Sequence, residues 1–140
     1  MLNVRNRSSQ EMSERLRAEG FAAEIISETI ERLQGVGLLD DERFARERAS
    51  ALGRGKGWGP RKLRWDLGRH RLSAEIIEQA IAQAYGKGDV TKFMRELVVR
   101  RFGPEVVGGR AEPRQAARAR RFLLQRGFDP DQVGELFESY

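Results

Sequence analysis

Two segments of this 140-residue chain carry side chains able to grip a polyanion or an acidic surface. Residues 54–71 hold seven lysines and arginines with Asp66 as the single carboxylate, and residues 114–126 hold five arginines and no acid. The candidate binding residues are Arg54, Lys56, Arg61, Lys62, Arg64, Trp65 and Arg69 in the first segment, and Arg114, Arg118 and Arg121 in the second. At about 100° per residue, Arg61, Trp65 and Arg69 fall on one face of a helix, and Leu63 and Leu67 on the other. Arg114, Arg118 and Arg121 likewise lie opposite a buried face of Ala116, Ala119 and Leu123. Guanidinium groups hold phosphates and carboxylates through forked N–H donors, and an indole among them offers a stacking surface. A solvated face would show the same charges, and Trp65 could equally pack against a neighbouring helix.

Other chemistries find little support. The chain has no Cys and one His, His70, which excludes disulfides, thiolate chemistry and paired-histidine metal sites. Asp40-Asp41-Glu42 is an acidic triplet at a helix start, where each acid contributes ~0.3–1 kcal/mol to the helix. It reads as structural capping, not as a metal site. Gly53 to Gly59 is glycine-rich but lacks the Gly-Lys-Ser/Thr ending of a phosphate loop, and no strand precedes it. It reads as a flexible connector. No catalytic residue, metal or cofactor is therefore expected. No apolar run reaches the ~18 residues of a membrane span, and the first residues lack the apolar core of a secretion signal. With a net charge of +5, a soluble cytoplasmic protein with an anionic partner is expected.

The elements that must position these residues are all helices. Apolar residues recur at helical spacing, and no segment alternates with the period of a strand. Helices are predicted near 9–18, 22–34, 40–52, 60–69, 73–85, 89–102, 112–126 and 129–138. Ser8 with Glu11 forms a capping box, and Pro60 suits a first helical position. A repeat emerges on overlay. Leu16, Phe21 and Ile26 match Leu67, Leu72 and Ile77 at an offset of 51, and Leu123, Phe128 and Val133 at an offset of 107. Asp40 and Phe44 match Asp89 and Phe93 at an offset of 49. The unit is three helices, A, B and C. Repeat 1 spans 1–39, repeat 2 spans 40–88 and repeat 3 spans 89–140, with the first helix of repeat 1 short or missing. Units this small must stack to bury a core, so an all-α, elongated and curved molecule is expected. The stretch from Gly103 to Gly109 reads as a bend or mobile loop. Leu16, Leu67 and Leu123 should be equivalent buried positions, as should Ile26, Ile77 and Val133. The B–C pair looks like a helix-turn-helix, but each C helix is acidic and would be repelled by phosphates in a major groove.

The chain resembles the RecX regulators of the bacterial recombinase RecA. The resemblance is carried by four blocks in order. They are Arg7-Ser8-Ser9-Gln10-Glu11-Met12-Ser13-Glu14-Arg15-Leu16, then Leu39-Asp40-Asp41-Glu42-Arg43-Phe44-Ala45. Gly57-Trp58-Gly59-Pro60-Arg61-Lys62-Leu63-Arg64-Trp65-Asp66-Leu67 follows, and Arg121-Phe122-Leu123-Leu124-Gln125-Arg126-Gly127-Phe128 closes. The resemblance implies three tandem three-helix units that bind along a RecA–single-stranded DNA filament. It also implies restraint of RecA's ATP turnover, strand exchange and promotion of repressor self-cleavage. Direct contact with single-stranded DNA is a further implication, and no catalytic residue or cofactor is implied. A monomer is expected, with no membrane partner. The departure from the family is the missing first helix of unit 1. The alternative reading is a basic helical nucleic-acid-binding protein that acts without RecA.

Overall fold

The computed structural model describes residues 7–86, 90–107 and 111–138. Among them are eight α-helices and no strand. They are α1 (Ser9–Ala18), α2 (Ala23–Gly35), α3 (Asp41–Lys56), α4 (Pro60–Arg69), α5 (Ala74–Gln83), α6 (Val90–Phe102), α7 (Pro113–Gln125) and α8 (Pro130–Leu136). The expectations placed on residues 1–6, and the division between repeats 2 and 3 near residue 88, lie outside the described residues.

Local sequence explains most of the helix ends. The Ser8 hydroxyl accepts from the Glu11 N–H at 3.2 Å while the Ser8 N–H donates to Glu11 Oε1 at 2.9 Å. This reciprocal pair satisfies two backbone donors at the start of α1. Asp40 caps α3 by accepting from the Arg43 N–H at 3.0 Å. Asp129 caps α8 by accepting from the Asp131 N–H at 2.8 Å. Proline occupies the start of α4, α7 and α8, where its missing N–H costs no hydrogen bond.

One expectation is corrected and one is narrowed. The connector expected from Gly53 onward is helical through Lys56, and α3 closes at Gly57 in the left-handed region. The reason is packing. Gly53 is buried, and a Cβ there would meet Tyr85, Leu63 and Ala84 within 3.5 Å. The glycine lets α3 approach its two partners, at a cost in helix propensity that the burial offsets. Of the two readings of the stretch from Gly103, a bend or a mobile loop, the described part is a bend, a 3-10 turn at Pro104–Val106 with Val106 buried in the third apolar cluster. Gly108 and Gly109 lie outside the described residues.

Three apolar clusters form the interior. Met12, Leu16, Ile26 and Leu39 make the first. The second joins α3, α4 and α5 around Ala45, Ala49, Leu63, Leu67 and Ile81. The third joins α6, α7 and α8 around Met94, Val98, Ala119, Leu123 and Phe128. Leu16, Leu67 and Leu123 are all buried, as are Ile26, Ile77 and Val133. Each large aliphatic side chain buried in this way contributes ~1.5–3 kcal/mol. Val90 and Phe93 pack against both the second and the third cluster, so those two cores are continuous.

Candidate functional site: the cationic faces of the B helices

The B helices α7, α4 and α1 meet end to end. The Gly59 N–H donates to the Arg126 carbonyl at 2.7 Å, and the Arg61 N–H to the Gly127 carbonyl at 2.9 Å. Donors left over at the start of α4 are thus satisfied by acceptors left over at the end of α7. At the other end of α4, the Ser8 hydroxyl donates to the His70 carbonyl. The two contacts are equivalent in the repeat. Ser8 corresponds to Gly59, and His70 to Arg126, at the offsets that align the leucines. α7 and α4 each therefore deliver C-terminal carbonyls to the N-terminus of the preceding B helix, a favourable meeting of opposite dipole ends.

The candidate residues divide by what they touch. Arg61, Trp65 and Arg69 are exposed on α4, with Trp65 59% exposed, opposite the fully buried Leu63 and Leu67. The Arg69 guanidinium lies 4.8 Å from the Trp65 ring centroid, and Lys62 Nζ lies 4.3 Å from that of Trp58. Arg64 is engaged by Glu78, at 2.8 Å and 3.0 Å. That bidentate pair holds the Arg64 guanidinium above its ordinary pKa and the Glu78 carboxyl below the usual carboxylate range. Arg54 is exposed on the last turns of α3, close to Gly86. Lys56 ends that helix, and its carbonyl accepts from Arg126 Nη1 at 2.6 Å.

On α7, Arg114, Arg118 and Arg121 are exposed opposite the buried Ala119 and Leu123, while Ala116 is half-buried. No carboxylate among the described residues pairs with Arg61, Arg114, Arg118 or Arg121. Elsewhere the chain does pair its arginines. Arg48 makes a bidentate contact with the buried Asp66, which raises the Arg48 pKa, and Arg15 pairs with Glu19 at 3.1 Å.

The structure adds residues that charge counting did not single out. Arg118 and Arg121 line a shallow groove with Arg101, Phe102, Phe122 and Gln125. The Phe122 ring carries the Arg101 and Arg126 guanidiniums, each 4.9 Å from its centroid. Arg101 sits on α6, so its place in this groove comes from packing between helices, and only its neighbour Arg100 hinted at it in the sequence. In repeat register Arg114, Arg118 and Arg121 correspond to Trp58, Lys62 and Trp65, and then to Arg7, Glu11 and Glu14. In this register the arginine row of α7 meets two tryptophans and one cation, Lys62, at α4, where Arg61 and Arg69 lie off it, and it turns acidic on α1, where Glu11 faces His70 and Glu14 lies 3.7 Å from Arg71.

The acidic triplet is structural in two ways. Asp40 caps its own helix, and Asp41 accepts from the Ser9 N–H of α1 at 2.8 Å. Among the described residues no group of three or more His, Cys, Asp or Glu side chains is placed to hold a metal ion. No helix there is long and apolar enough to cross a membrane.

Comparison with known proteins gives a consistent set of relatives. Residues 40–81 match the family model for the second three-helix domain of RecX, and residues 1–33 match that for the first. The chain is 36% identical over 137 residues to a protein named Regulatory protein RecX from Xanthomonas oryzae pv. oryzae, spanning 95% of this chain and 79% of the relative. A protein of the same name from Trichlorobacter lovleyi is 30% identical over 141 residues, spanning 99% of this chain and 89% of the relative. The crystal structure of RecX from Lactobacillus salivarius superposes with a TM-score of 0.70 at 20% identity, over 93% of this chain and 82% of that one.

Proposed function

The chain belongs to the RecX family of regulatory proteins, and from that premise we propose that it regulates RecA by binding the RecA–single-stranded DNA filament. The binding restrains the filament's ATPase, strand exchange and coprotease activities in recombinational repair and the SOS response. The role is regulatory, carried out by a cytoplasmic monomer with no cofactor. The repeats 1–39, 40–88 and 89–140 act as its binding modules.

One observation carries the choice of surface. α7 and α4 abut, and their outward faces hold arginines that no described carboxylate neutralises. Cations along a helix face repel one another when no acid neutralises them, and an external anion removes that repulsion. Arg61, Trp65, Arg69, Arg114, Arg118 and Arg121 are the contacts proposed for the filament, through acidic groups of RecA, phosphates of its single-stranded DNA, or both. Such contacts weaken as salt rises.

The test is RecA ATPase on single-stranded DNA at substoichiometric protein, using Arg61→Glu/Arg69→Glu and Arg114→Glu/Arg118→Glu after checking helicity. Each charge reversal should shift inhibition to higher protein concentration. Unchanged inhibition by both folded variants would show that these faces are only solvated. Binding to bare single-stranded DNA with no effect on RecA would replace the reading with nucleic-acid binding alone.

A further inference from the structure

The outward face of α4 carries a tryptophan that the core does not use. Trp65 is 59% exposed and lies between Arg61 and Arg69, each four residues away. Four residues rise about 6 Å along a helix, so a cation stands one turn to either side of the ring. Arg69 covers part of it, with the guanidinium 4.8 Å from the ring centroid. None of the three apolar clusters takes in the Trp65 ring, and among the described residues no other cation or aromatic ring pairs with it. Packing against a neighbouring helix is therefore not its role.

The surface beside the ring is kept open. Gly68 follows three residues on, inside α4. Glycine is a poor helix former, and at other positions of this fold close packing accounts for it. A Cβ on Gly53, Gly59 or Gly127 would meet a neighbour at 3.3 Å or less, whereas a Cβ on Gly68 would meet nothing within 4 Å. The equivalent residues of the other B helices are Arg17 and Leu124, both exposed, so the fold accepts a long side chain at this place. A glycine here leaves room for a ligand to approach the helix closely. Nor does the exposure of Trp65 depend on what precedes α1. Its equivalent on α7, Arg121, is exposed although the end of α3 is held against the end of α7 by Arg126 and the Lys56 carbonyl.

We propose that Trp65 stacks on a nucleobase of single-stranded DNA while Arg61 and Arg69 hold the phosphates on either side, a contact that rests on the filament reading above and assigns the DNA, not RecA, to α4. Cation, ring, cation matches the order phosphate, base, phosphate along a strand. Base and indole meet through their π faces, which every base possesses. An acidic peptide would also neutralise Arg61 and Arg69, but it brings a backbone N–H with nearly every residue. The polar side chains of this face, Arg61, Lys62, Trp65 and Arg69, are donors without an acceptor. Phosphodiesters bring acceptors only.

The experiment uses the full chain with labelled oligothymidine and with an abasic strand of the same length and charge, read by fluorescence anisotropy. Native protein should bind oligothymidine ~5-fold or more tightly than the abasic strand, the worth of one stacked base. Trp65→Ala should erase that preference and Trp65→Tyr should keep it, with native helicity checked for each. Gly68→Leu, which copies the α7 residue, should reduce the preference. Arg61→Gln/Arg69→Gln should weaken binding of both strands. The chain has two tryptophans, so the emission of a Trp58→Phe variant is that of Trp65, and oligothymidine should quench it more than the abasic strand does. The proposal is overturned if native protein binds the two strands alike or binds neither, or if Trp65→Ala retains the preference. It is equally overturned if Trp65→Ala abolishes inhibition of RecA ATPase without changing strand binding, which would assign the indole to protein. A preference that depends on Trp65, in a protein without effect on RecA ATPase, supports the stacking contact and removes the filament reading instead.

Discussion

The joint between α7 and α4 and the joint between α4 and α1 occupy the same place in the repeat and are made of different chemistry. At the first, backbone meets backbone. A Cβ on Gly59 would lie 2.5 Å from the Gly127 carbonyl carbon, and one on Gly127 would lie 2.5 Å from Lys62 Cβ. Aromatic packing continues the core across it, with Tyr85 and Phe93 centroids 5.0 Å apart. At the second, side chains bridge the gap. Ser8 reaches the His70 carbonyl, Asp41 accepts from Ser9, and His70 Nδ1 lies 3.2 Å from both Glu11 carboxylate oxygens. The Phe44 ring meets the His70 ring edge-on at 5.1 Å, but the first and second apolar clusters share no residue. One fold rule thus tolerates two solutions. Apolar continuity contributes in proportion to buried area, whereas each polar contact nets only ~0.5–1.5 kcal/mol because water competes for the same groups.

The largest effect should come from closing the space at the tight joint. Gly59→Ala forces the two backbones apart and should destabilise the protein by ~3 kcal/mol, at the upper end of overpacking costs. Urea unfolding would measure it, and an unchanged midpoint would mean that the joint can slide. Ser8→Ala sits at the equivalent position of the polar joint. It removes a helix cap and the bond to His70, and should cost ~1–2 kcal/mol. Hydrogen exchange should show that loss confined to α1 and α2, whereas the Gly59→Ala loss should spread through units 2 and 3. The smallest effect has the opposite sign. Arg71 holds φ of 60° where the other repeats have glycine, a conformation that costs an L-residue ~1–2 kcal/mol. Arg71→Gly gives up only an exposed contact to Glu14 and adds some unfolded-state entropy. It should stabilise the joint by ~0.5–1 kcal/mol, seen as a raised urea midpoint.

Leucine and isoleucine spacing gave the helices to within one or two residues at most ends, because an amphipathic face repeats with the helix period whatever it packs against. The same spacing identified Leu16, Leu67 and Leu123 as equivalent. It misjudged α3, where glycine's low helix propensity suggested a connector and close packing under Tyr85 and Leu63 kept the helix going. The candidate site was half legible. Phase set Arg61, Trp65, Arg69, Arg118 and Arg121 on outward faces. That Glu78 engages Arg64, and that Arg101 joins the α7 arginines, depends on pairs of residues on different helices. No period within one segment encodes such pairs.

The sequence by itself determined the helical class, the threefold repeat, the capping residues and the family. Each of these rests on short-range spacing or on residue identity in order. Tertiary structure alone decided how the B helices join and which arginines, among the described residues, meet an acid. Those outcomes depend on the distance at which two surfaces meet. A missing Cβ at Gly59 or a hydroxyl at Ser8 sets that distance only once both surfaces are in place.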